Sequence, residues 1–142
     1  MNSDDKVIKL DLPAEARYLS ILSTVIEMYL ERVSDVAERD MTVYNLQLAA
    51  QECCTNIIDH AYGGMPGGRI QVSLMIQVEP RRSIVLEFHD TGTAVEEATI
   101  AEPELRVGSV RGYGLFLMHE LMDEVNYSHE ASGNCWRLIK RF

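Results

Sequence analysis

Basic side chains are scarce in this chain: 13 lysines and arginines stand against 22 aspartates and glutamates, for a formal net charge of −9. Binding along a nucleic-acid backbone needs cationic side chains to displace counterions, so direct DNA or RNA binding is not expected. An acidic surface suits basic protein partners instead. Long apolar runs are missing as well. Charged or polar residues break every stretch well short of the roughly 20 residues that cross a bilayer, so no membrane span is expected. Met1 leads into Asn-Ser-Asp-Asp-Lys, without the basic start and apolar run of a secretory signal, and a cytoplasmic location is expected. Cysteines number three, Cys53 and Cys54 adjacent and Cys135 distant. Neither Cys-x-x-Cys nor a Cys/His zinc spacing occurs, and the expectation is free, buried thiols. Walker and dinucleotide glycine signatures are absent too.

What is present is the pattern of one α/β domain over residues 1–142, without repeats, low-complexity tracts or linkers. Val7 to Leu12 alternates and stops at Pro13, a first strand. From Ala14 to Val33 the residues Leu19, Leu22, Ile26, Tyr29, Leu30 and Val33 recur at helical spacing. Asp35 to Asp40 is a polar connection. A second helix is expected from Thr42 to Tyr62, with Leu46, Ala49, Ala50, Cys53, Ile57 and Ala61 as its apolar stripe, ended by Gly63-Gly64-Met65-Pro66-Gly67-Gly68. Ile70 to Ile76 and Ser83 to Phe88 read as strands, the latter running into His89-Asp90-Thr91-Gly92. Thr93 to Arg111 lacks steady periodicity, carries Pro103 and Gly108, and reads as a mobile or functional loop. Gly112-Tyr113-Gly114 opens a third helix. Val125 to Ser128 and Cys135 to Phe142 form a closing hairpin turning at Ala131-Ser132-Gly133-Asn134. The expected architecture is a two-layer α+β sandwich: a mixed, mostly antiparallel sheet carrying helices on one face.

Three places could carry chemistry. Glu52, Asn56 and His60 are four residues apart and share a helix face. They are either the wet side of an amphipathic helix or a working set, with Asn56 offering an oxygen to Mg²⁺ and Glu52 accepting a proton. Asp90-Thr91-Gly92 is either a tight turn or a carboxylate at a strand end that accepts a hydrogen bond from an exocyclic amine such as adenine's. Gly112-x-Gly114 either eases a helix entry or lets backbone N–H groups approach phosphate.

The order of these pieces resembles the ATPase superfamily of gyrase, Hsp90, histidine kinases and MutL, with its N, G1 and G2 boxes and its Bergerat-type ATP-binding fold. Glu52-Cys53-Cys54-Thr55-Asn56-Ile57-Ile58-Asp59-His60-Ala61-Tyr62 and Gly112-Tyr113-Gly114-Leu115-Phe116-Leu117-Met118, followed by Met122-Asp123-Glu124-Val125, are similar to the anti-sigma-factor serine kinases. The resemblance covers nearly the whole chain.

That resemblance implies ATP and Mg²⁺ as cofactors. Asn56 would hold the metal, Asp90 would recognise adenine, Gly92 would pass close to the base, and Gly112 and Gly114 would cradle phosphates. Glu52 would be the general base acting on a serine hydroxyl, with Arg106 and Arg111 flanking the lid and His60 in a capping or packing role. The implied partners are an anti-anti-sigma protein of the STAS type, as substrate, and a sigma factor held inactive. A homodimer through about residues 7–33 is also implied. Two alternatives stand beside the kinase: a nucleotide-binding switch or scaffold without turnover, and a detached histidine-kinase catalytic domain. Against the latter, no helical pair with a phospho-acceptor histidine precedes the domain. Thr93-Ala94 departs from the glycine or proline often found after the family's Asp-x-Gly, and the short loop to Arg111 matches small members.

Overall fold

The structure, a computed structural model, describes residues 6–95 and 110–142, the side chains of residues 110–113 excepted. Most of the expected loop, including Arg106, lies outside the described residues, as does the Arg111 side chain. Strand β1 (Ile8–Pro13) leads through a short 3₁₀ turn into helix α1 (Leu19–Glu31) and then α2 (Arg39–Asn56), which continues as a π-helical turn over Ile57–Ala61. Strands β2 (Arg69–Gln77) and β3 (Ser83–Asp90) follow, then helix α3 (Val110–Leu121) and strands β4 (Glu124–Glu130) and β5 (Gly133–Arg141).

The five strands form one sheet in the order β1-β2-β3-β5-β4. All its pairings are antiparallel. Residue alternation decides which face is covered. Val72, Leu74, Leu86, Phe88, Trp136 and Leu138 point inward and are buried against Leu22, Ile26 and Leu30 of α1, Leu46, Ala49 and Cys53 of α2, and Met118 of α3. Lys9, Asp11, Ser73, Glu87 and His89 occupy the opposite face, which is open. This is the expected two-layer arrangement with helices on one side.

Element edges shift from the sequence expectation for local reasons. Helix α2 begins at Arg39, earlier than Thr42, because the Arg39 side chain reaches back to α1. Its guanidinium donates to the Leu30 carbonyl and, at 2.8 Å, to that of Val33. It thereby adds a donor to carbonyls at and just beyond the end of the preceding helix. Helix α3 starts at Val110, so Gly112 falls inside its first turn instead of opening it. The closing hairpin is tighter than expected: Gly133 and Asn134 are already strand residues, paired with Glu130 and His129.

Candidate nucleotide site

Helix α2 buries Leu46, Ala49, Ala50, Cys53 and Cys54 and leaves Glu52 and Asn56 half-buried at its edge. What they face is α3. A Cβ on Gly114 would stand 2.9 Å from Glu52 Oε2 and 3.4 Å from Asn56 Oδ1. Glycine therefore lets the backbone of α3 close onto both polar side chains. Three residues singled out from sequence, on two separate helices, meet at one point.

Beyond Asn56 the helix widens. Tyr62 N donates to the Ile57 carbonyl at 3.0 Å, an i→i−5 bond. Single π turns of this kind occur often at functional sites. Here the Ala61 carbonyl, at the end of the turn, accepts from Thr93 N at 2.7 Å. Gly92 packs against the same carbonyl, and a Cβ there would lie 2.3 Å from its oxygen. No other residue fits without moving one segment away from the other. Tyr62 adds a clasp: its hydroxyl accepts from Thr91 N at 3.0 Å and donates to the Arg69 carbonyl at 2.7 Å. His60, by contrast, is exposed.

Asp90 ends β3 and is only 3% exposed. Its Oδ1 accepts from Gly92 N at 3.0 Å and from Asn134 Nδ2 at 2.7 Å. Its Oδ2 is buried with no protein partner. A buried carboxylate oxygen left without a donor is costly, and such atoms in native folds ask for an explanation. A ligand N–H is one.

Asn134 is the site residue that sequence reasoning missed, having been read as part of a turn. Its Nδ2 also donates to the Gly92 carbonyl at 3.0 Å. Its Oδ1 accepts from Tyr127 Oη at 2.9 Å and contacts His129 Nδ1 at 2.7 Å. Tyr127 Oη in turn accepts from Val95 N at 2.9 Å. The amide orientation is thus fixed by four partners, and the chain of bonds ties the first residues of the loop to the Asp90 carboxylate. The available signal was alternation: Asn134 shares the inward phase of β5 with Trp136 and Leu138.

Glu52, Asn56 and Gly114 thus form one group and Asp90 and Gly92 a second, joined through the π turn, with Gly112 in the first turn of α3. The buried thiols of Cys53 and Cys54 are pushed up by burial, that of Cys54 to about 12, so neither is a nucleophile near neutral pH. The residues fit an adenine nucleotide with a hard cation: an amine acceptor in the buried Oδ2, glycines where a side chain would intrude, and an amide oxygen beside a carboxylate.

Comparison with known proteins gives the class of the domain. Residues 12–140 match the family model of the histidine kinase-like ATPase domain, and the chain belongs to that family. It is similar to the serine-protein kinase RsbW of Bacillus pumilus, with 28% identity over 132 residues, covering 88% of this chain and 80% of that protein. The serine-protein kinase RsbW of Oceanobacillus iheyensis is 26% identical over 128 residues, covering 87% and 79%. In fold it is similar to the histidine kinase domain of the blue-light activated histidine kinase of Erythrobacter litoralis EL346. That match has a TM-score of 0.54 and 19% identity, over 91% of this chain and 61% of the other. The family is one of kinase-like nucleotide-using domains, and among the described residues no helix is long and apolar enough to cross a membrane.

Proposed function

We propose that this protein is an ATP- and Mg²⁺-dependent protein-serine kinase that acts on an anti-anti-sigma partner and, when free of it, sequesters a sigma factor. The observation that carries the reading is the meeting of Glu52 and Asn56 at Gly114, one helix presenting a carboxylate and an amide to the glycine of another. The serine-protein kinases to which the chain is similar support the reaction class. The sigma-factor and anti-anti-sigma partners, a cytoplasmic setting and a homodimer through residues 7–33 follow from the motif resemblance.

When bound, ATP supplies the phosphoryl group and Mg²⁺ the positive charge that offsets its oxygens. The chain's own residues divide the remaining work. Asp90 Oδ2 accepts from the adenine amine, and Gly92 keeps the chain clear of the base. Asn56 would hold the metal through its amide oxygen. Gly112 and Gly114 leave room for phosphates at the start of α3, where unpaired N–H groups favour anions. Glu52 takes the proton from the attacking serine hydroxyl, at the edge of the site where an incoming partner can reach it.

Calorimetry of ATP binding with and without Mg²⁺ tests the site. Wild-type binding that depends on Mg²⁺ and is lost in Asn56→Ala is expected; Mg²⁺-independent binding, or an unaffected variant, removes Asn56 from the metal. Phosphate transfer to a STAS-type protein tests the chemistry. Glu52→Gln is expected to abolish transfer while ATP affinity stays within a few-fold. Binding without any transfer by the wild type would leave a nucleotide-dependent switch.

A further inference from the structure

The open face of the sheet carries a second cluster that the nucleotide reading does not use. His89 and Cys135 are directly opposed across β3 and β5, and Glu87 lies two residues before His89 on the same face. His89 Nε2 is 3.6 Å from Glu87 Oε2 and 3.7 Å from Cys135 Sγ. One ligand atom from each residue falls within a group spanning no more than 4.8 Å. From these contacts we infer a site for a borderline-soft divalent transition cation, Zn²⁺ being the best fit, held by Glu87, His89 and Cys135.

The distances are those a metal would ask for. Tetrahedral Zn²⁺ with ordinary bond lengths sets nitrogen and sulfur about 3.6 Å apart and nitrogen and oxygen about 3.3 Å apart. Both separations from His89 lie within a few tenths of an ångström of these edges, and the third edge, between Glu87 and Cys135, lies within 4.8 Å and closes by rotation of the Glu87 carboxylate toward the sulfur. The donor set of one carboxylate, one imidazole and one thiolate suits Zn²⁺ and excludes Mg²⁺ and Ca²⁺, which take oxygen ligands. On binding, the Cys135 S–H bond breaks, the sulfur lone pair binds the metal and the proton passes to solvent.

The surroundings support the ligands. Arg137 Nε is 3.5 Å from the other carboxylate oxygen, Glu87 Oε1, and Arg137 Nη2 donates to Gln77 Oε1 at 3.0 Å. The arginine is anchored to one side by Gln77 and stands in ion-pair range of Oε1 without hydrogen-bonding it, while Oε2 is the oxygen near His89. A broad groove of about 620 Å³, lined by Lys9, Gln71, Ser73, Glu87 and His89 among others, gives entry from solvent to Glu87 and His89. The site is on the opposite face from Asp90, one residue along both strands, since Asp90 pairs with Asn134 next to the His89–Cys135 pair. A redox-active thiolate is the weaker use of Cys135. Burial and then the Glu87 carboxylate push its thiol up to about 11.

The test is titration of the chelator-treated full chain with Co²⁺, without ATP or Mg²⁺, so its outcome is independent of the nucleotide reading. One equivalent should bind with a thiolate-to-cobalt charge-transfer band, and Zn²⁺ should then bleach it. Cys135→Ser should abolish the band, and His89→Gln should weaken binding by at least about tenfold. Cys53→Ala should leave both unchanged. Metal-free melting curves establish that each variant folds, and His89→Gln carries the test if Cys135→Ser does not. Absence of the band in the wild type, its survival in Cys135→Ser, or an unchanged Co²⁺ affinity in His89→Gln overturns the assignment.

Discussion

Asn134 holds Asp90 by one oxygen only: its Nδ2 donates to Oδ1 at 2.7 Å, while Oδ2 stays buried without a protein partner. The two residues are opposite each other in the β3–β5 register, Asp90 closing one strand and Asn134 standing second in the other. Because Asn134 is itself fixed by Tyr127 and His129, the carboxylate cannot swing to pair its second oxygen without breaking that network. The fold thus maintains an acceptor in a fixed direction.

Asn134→Ala should therefore act on stability and on ligand binding together. It strips a buried, charge-assisted donor from Asp90 and a partner from Tyr127, a loss of about 2 to 3 kcal/mol. ATP affinity should fall by roughly tenfold, equivalent to about 1.4 kcal/mol, as the carboxylate loses its fixed orientation. Urea unfolding and calorimetry measure the two. A stable variant with unchanged affinity would mean that Asn134 does not position Asp90.

The contrast between Asn134 and the other candidate site residues shows what a sequence makes legible. Glu52 with Asn56, Asp90 with Gly92, and Gly112 with Gly114 are each local pairs whose spacing on a helix or at a strand end is visible in the chain. The helical stripes of α1 and α2 were visible for the same reason. Asn134 matters only through a register that brings it to Asp90 from 44 residues away. The Glu87, His89 and Cys135 cluster is hidden in the same way, since its members come from two strands and form no zinc-like spacing. Helix edges shifted where side-chain contacts between neighbouring elements, such as Arg39 with the end of α1, decided them.

Tyr62 is expected to tune the site without belonging to it. Tyr62→Phe removes the hydroxyl between Thr91 N and the Arg69 carbonyl but keeps the ring, which packs against Gly68. The cost should be about 1 kcal/mol, and ATP affinity should drop a few-fold as the end of β3 loosens. Hydrogen exchange at Thr91 should accelerate. Unaltered exchange there would show that the clasp does not restrain this segment.

Alkaline pH should destabilise the fold through Cys53. Burial first, then the charges of Cys54, Asp90 and Cys135, raise this thiol well above its ordinary value of 9.0. The folded chain keeps the proton that the unfolded chain releases. Its stabilising effect is complete below pH 9.0 and is lost as pH rises from there toward the folded value. Cys54, pushed up to about 12, adds a similar loss between pH 9.0 and about 12. Each thiol should contribute a slope of about 1.4 kcal/mol per pH unit in that window. Urea unfolding across it should show Cys53→Ala with a shallower slope by that amount, whatever its offset at neutral pH. An identical slope would mean that Cys53 ionises in the folded state.

Gly92 and Gly114 both mark close approach, yet substituting them should fail in different ways. At Gly92 a methyl would meet the Ala61 carbonyl oxygen at 2.3 Å, and that backbone is held by Thr93 N and cannot yield cheaply. Gly92→Ala should cost about 1 to 3 kcal/mol, push the end of β3 off the π turn and abolish ATP binding. At Gly114 the obstacle is the tip of the Glu52 side chain, 2.9 Å from the added Cβ, and a flexible carboxylate can rotate away. Gly114→Ala should therefore melt within a few degrees of the wild type. Its deficit should lie in phosphate transfer, because the displaced carboxylate no longer meets the incoming hydroxyl. Melting curves, calorimetry and transfer assays on the two variants separate the roles. A Gly114→Ala protein with full transfer would place the proton acceptor somewhere other than Glu52.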